Sequence, residues 1–153
     1  MAGLSRDEHD ALQHWSAYGQ PGDPVTERYI PDDSWRSRLK PFVNPANGDW
    51  PDIFDDAQTR ALLNGFGPGA MEDKWLVYCE DLSDAATTTV HFHRSWTGVE
   101  VFSVDLQLIE TGSRLTRATW EMDDAAIKSP SEAFARESFV EVCRWVLRMK
   151  PAG

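Results

Sequence analysis

Two imidazoles stand two residues apart in HFHRSWTGVEVF, residues 91–102. At i and i+2 of a strand, His91 and His93 would share one face of a sheet. Such a pair can hold a metal ion, or one ring can move protons near neutral pH. What stands beside them depends on the register of the hairpin that follows. A two-residue loop, Thr97-Gly98, would set Phe92 against Ser103 and His93 against Phe102, mixing polar with apolar on both sides. A three-residue turn, Trp96-Thr97-Gly98, with Gly98 in the left-handed region, instead sets Ser95 against Val99 and pairs Arg94 with Glu100, Phe92 with Phe102 and Val90 with Val104. The second register is therefore expected. It gathers His91, His93, Ser103, Asp105, Gln107, Arg117, Thr119 and Glu121 on one polar face, with His91 opposite Ser103 and diagonal to Asp105.

The catalytic candidates on that face are His93, Asp105, His91 and Glu121. His93 would be the base, with an acidic neighbour orienting its ring. Asp105 or Glu121 would be the third ligand if the histidines held a metal, although the i, i+2 spacing alone is unspecific. Ser103, His91 and Asp105 can be drawn as a nucleophilic set, yet no GxSxG elbow presents the serine. GFGPGAMEDK contains neither GxGxxG nor GxxxxGK[ST], and it precedes a strand where a phosphate cradle would precede a helix. No resident metal and no cofactor are assigned on these patterns. Trp96 at the turn, with Arg94, Ser103 and Arg117, forms the binding set, although Arg94 in this register also faces Glu100. The plain reading is that a half-exposed antiparallel sheet shows such a polar face to water.

Four alternating runs, 74–81, 87–95, 99–109 and 114–122, position these residues as an antiparallel meander. Phe102, Val104, Leu106 and Leu108, beside Thr116, Ala118, Trp120 and Met122, would form its apolar face. A helix begun by Ser129, Pro130 and Glu132 should cover that face with Ala135, Phe139, Val142, Cys143, Val146 and Met149. The expected fold is α+β: a four-stranded antiparallel meander covered on one face by a C-terminal helix, within a single domain over 1–153. Its first 70 residues should be helical and irregular, and residues 71–150 should hold the sheet and the helix. Ser5 and Glu8 form a capping box for a first helix ending near Gly19, and a second helix is expected over 53–64. Between Gly19 and Pro51, six prolines accompany Tyr29, Trp35, Phe42 and Trp50. Such a stretch should pack over the domain, and from Tyr29 to Trp50 it could roof the polar face.

Fifteen basic residues against 25 acidic ones give a formal charge of −10, which disfavours nucleic acid and anionic membranes as partners. Cys79 and Cys143 lie in apolar runs without metal-ligand spacing and read as buried thiols of a reducing compartment. No apolar leader and no run of about 20 apolar residues is legible, so a cytoplasmic location is expected. MEDKWLVYCED together with HFHRSWTG resembles a group of small uncharacterised bacterial proteins, in which an ED-K-W strand precedes a strand ending HRSWTG and a C-terminal helix follows. The resemblance spans about half the chain, 71–149. It differs at the longer LSDAATTT loop and at His91, where that group carries an aromatic residue, and it implies no activity, substrate or cofactor. The function expected is that of a small binding or accessory protein, an immunity-type or regulatory partner of another protein. The alternative is an enzyme with a small-molecule or metal-assisted site around His93 and Asp105.

Overall fold

The computed structural model describes residues 27–70 and 72–150; the helix expected from Ser5 lies outside them. In chain order the elements are α1 (Asp33–Arg36), β1 (Pro45–Gly48), β2 (Ile53–Asp55), α2 (Asp56–Asn64), β3 (Trp75–Cys79), β4 (Thr87–Arg94), β5 (Glu100–Ile109), β6 (Gly112–Glu121) and α3 (Glu132–Trp145). The fold is α+β, and its antiparallel sheet has six strands where the sequence suggested four. β3 to β6 form the expected meander, and β1 and β2 both add to the outer edge of β6. Pro45 and Gly48 disguise β1 as a loop in sequence. An edge strand tolerates both, because only one of its sides must supply ladder bonds. No helix among the described residues is long and apolar enough to cross a membrane.

One face of the sheet is sealed. Val77, Val90, Phe92, Phe102, Val104 and Leu106 are fully buried there, and Phe139 of α3 meets Phe92 and Phe102 edge-on at ring separations of 5.7 and 6.0 Å. Each large side chain buried in this way contributes about 1.5–3 kcal/mol. α3 begins two residues later than expected. Ser131 is its N-cap and accepts from the Phe134 amide, whereas Ser129 has φ 52° and stays outside the helix. The expected 53–64 helix is likewise divided. Ile53–Asp55 pairs with β6, and Asp55 then starts α2 through a reciprocal capping box with Gln58, so the cap marks where the strand must stop.

The proline-rich stretch does pack on the body, but not as one roof. Trp50 enters the sealed core and stacks on Trp120 at 5.8 Å. Arg36 instead sits 5.8 Å from the Tyr78 ring, and the Lys40 amide donates to the Gly98 carbonyl. Both lie by the face that carries the histidines.

Candidate functional site

Gly98 takes the expected left-handed conformation, φ 76°, with its amide donating to the Arg94 carbonyl. Val90 pairs with Val104, His91 with Ser103 and Phe92 with Phe102, as the three-residue turn requires. The register then shifts between Phe92 and His93, so that His93 faces Glu100. Val101 is the extra residue of a β-bulge. Adjacent bulge residues turn their side chains to the same side, so Val101 stays in the core with Phe102 while Glu100 moves to the histidine face. The expected Arg94–Glu100 pair is thereby replaced. Arg94 lies beside Trp75, its guanidinium 5.0 Å from that ring. A second bulge, at Thr116, puts Leu115 opposite Leu106 and removes Thr116 from the apolar face where the alternation had placed it.

Glu100 becomes the centre of a three-residue cluster. His91 donates from Nδ1 to the Glu100 carboxylate and from Nε2 to Glu80 at 3.0 Å. His93 donates from Nδ1 to the Gly98 carbonyl at 2.9 Å, an oxygen that can only accept. In the neutral ring Nε2 then carries the lone pair. That nitrogen lies 3.8 Å from Glu100 Oε2, too far for a hydrogen bond. With the side chain 4% exposed, it has no partner among the described residues. The Tyr78 ring stacks beside both imidazoles at 4.9 and 5.9 Å.

The two rings differ in charge for physical reasons. Burial alone would push the His91 pKa down, but hydrogen bonds and attraction from Glu100 and Glu80 outweigh it and hold the imidazole above its ordinary value. Burial dominates at His93 and lowers its pKa, with the Gly98 carbonyl and Glu100 offsetting only part of the effect. Protonation is thus favoured at His91 and disfavoured at His93. One ligand atom from each of His91, His93 and Glu100 lies within 4.8 Å of the others, so among the described residues these three could hold a metal ion.

The other candidates from the polar face stand elsewhere. Asp105 accepts from Thr89 Oγ1 at 2.7 Å and pairs with Arg117 at 3.4 Å, and in the ladder it lies four pairs beyond the one that joins His93 to Glu100. Glu100 occupies the place beside His93 that Asp105 was expected to fill. Ser103 is buried opposite His91. The Glu121 carboxylate accepts from the amides of Val43 and Asn44 at 2.7 and 2.8 Å and from those of Met122 and Asp123, which ties the incoming chain to the end of β6.

On the other side of the same turn opens a cleft of about 580 Å³. Arg94, Trp96, Thr97 and Val101 form one wall, Lys74 and Trp75 the floor strand, and Ala126, Ile127, Lys128 and the α3 residues Phe134 and Ser138 the other wall. Trp96 is 60% exposed, with the Lys74 ammonium 3.7 Å from its ring centre. No protein-family model, curated protein or solved structure matches this chain. Chemistry is therefore read from the two sides of the hairpin. Sequence reasoning had singled out Trp96 and Arg94, which the cleft brings together, and Ser103 and Arg117, which it does not. It missed Lys74, Lys128 and Phe134, whose meeting depends on how the 122–131 connection returns across the sheet. It also assigned Glu100 to Arg94. The alternating VEVF carries no mark of the bulge, because a valine at 101 suits either side.

Proposed function

We propose that the protein is a binding or accessory module that engages an acidic segment of another protein through the Trp96 cleft, in the manner of a regulatory or immunity-type partner. The observation that carries this reading is the lining of the cleft. Lys74, Arg94 and Lys128 converge there with no carboxylate among the described lining residues, although acidic residues outnumber basic ones 25 to 15 in the chain. A basic lining on an acidic protein favours an anionic partner over a second copy of the chain. Trp96 and Phe134, the latter 39% exposed, supply the large apolar surfaces on which binding energy concentrates. The residues of HRSWTG that line the cleft are Arg94, Trp96 and Thr97.

The test is quantitative capture from an extract of the source cell, with the full chain as bait, followed by titration of the purified partner. Trp96→Ala and the charge reversal Lys128→Glu are each expected to weaken the captured complex at least tenfold. An exposed edge substitution, Ile53→Ala, should leave it unchanged. If wild type and both cleft variants retain the same proteins with the same affinity, the reading fails.

A further inference from the structure

The histidine cluster supports a separate inference, independent of the cleft. We propose that His91 Nδ1, His93 Nε2 and Glu100 Oε2 form a binding site for one divalent transition-metal ion of the zinc class. An ion-pair cluster accounts for His91 between two carboxylates, but it leaves His93 Nε2 buried, 3.8 Å from Glu100 Oε2 and without a hydrogen-bond partner among the described residues. Such orphaned groups are uncommon in native interiors, and a bound ion is one way to satisfy them. A metal ion accounts for both rings at once.

The surroundings match what metal-binding histidines need. A ligating imidazole ordinarily donates its other ring N–H to a carboxylate or a backbone carbonyl, which fixes the tautomer and aims the lone pair. His91 has Glu80 on Nε2 and His93 has the Gly98 carbonyl on Nδ1, leaving Nδ1 of one and Nε2 of the other directed at Glu100. With bonds of about 2.0–2.2 Å, ligand atoms around a tetrahedral ion sit roughly 3.3–3.6 Å apart. The 3.8 Å between His93 Nε2 and Glu100 Oε2 is within a few tenths of an ångström of that spacing. The ion would take the place of the proton between His91 and Glu100, which must separate from hydrogen-bonding distance to that spacing. Two imidazoles and a carboxylate favour zinc, cobalt or iron(II) over magnesium or calcium, which prefer all-oxygen sets. Side-chain exposure is 19% at His91 against 4% at His93, so the ion would enter from the His91 edge and keep a coordination position there for solvent.

Metal-stripped full-length protein would be titrated with Zn²⁺ against a chromophoric chelator, and with Co²⁺ while its visible absorption is followed. One equivalent per chain is expected, with magnesium at large excess failing to compete. His93→Gln should weaken zinc binding by more than about 100-fold, and Glu80→Gln, which removes only the supporting acceptor, by about 10- to 100-fold. If His93→Gln shows no cooperative thermal transition, His91→Gln is read in its place. Absence of stoichiometric uptake, or uptake whose affinity in the ligand and Glu80 variants equals that of the wild type, would overturn the proposal.

Discussion

The two sides of one hairpin hold opposite kinds of site. Toward the polar face, His91, His93 and Glu100 are shielded by Tyr78 and Leu76, and almost every polar atom is already committed. Toward the cleft, Trp96 and Phe134 stand open beside three cations. A closed cluster with one unsatisfied nitrogen suits a small ion, whereas an open aromatic surface suits a large partner. The comparison teaches that strand parity divides chemistry as sharply as distance does. His93 and Arg94 are adjacent in sequence and lie on different sides of the hairpin.

The largest effect that breaks the comparison should come from Phe102→Ala, since Phe102 packs under both sites against Phe92, Trp75 and Phe139. A loss of about 3–5 kcal/mol is expected in denaturant unfolding, with both binding functions falling together. Gly98→Ala comes next. Its methyl would lie 1.9 Å from the Arg38 carbonyl oxygen at a φ of +76°, so strain and displacement together should cost at least about 1–3 kcal/mol. A neutral result would contradict the turn on which both sites depend.

Glu121→Gln sharpens the comparison, because it should lower stability by about 1–3 kcal/mol at neutral pH while leaving zinc uptake intact. Burial would raise the Glu121 pKa, but four backbone amides outweigh it and hold the carboxyl below its ordinary 4.5. A depressed folded-state pKa contributes stability that is fully present above the unfolded value and is lost as pH falls through the folded one. The gap between wild type and Glu121→Gln should therefore close on acidification below about pH 4, as measured by urea unfolding across pH. Trp96→Ala is the smallest for stability, within about 1 kcal/mol given its 60% exposure. A larger loss would make Trp96 a structural residue instead of an anchor.

Much of the sealed face was legible, because Phe92, Phe102 and Val104 alternate cleanly and only one register keeps them together. The α3 stripe was legible for the same reason. What escaped were features without a local signature. Each bulge inserts a single residue, Val101 or Thr116, into a run that still reads as alternating. β1 and β2 become strands only because β6 offers them an edge. At α3, two serines lie within three residues and both resemble caps, and the backbone geometry of Ser129 decides between them. For the candidate site, the histidine face was readable from parity, but its acid was misassigned from Glu100 to Asp105 by the one-residue shift.

The Gly98 carbonyl accepts from both the Lys40 amide and His93 Nδ1, while the Gly98 amide closes the turn that carries Arg94 and Trp96. A single residue thus anchors a strap, aims an imidazole and shapes a wall of the cleft. Any ligand that moves this turn must also re-aim the His93 lone pair. Linkage makes such an effect reciprocal: whatever factor an ion at His93 applies to affinity in the cleft, a partner in the cleft applies to affinity for the ion.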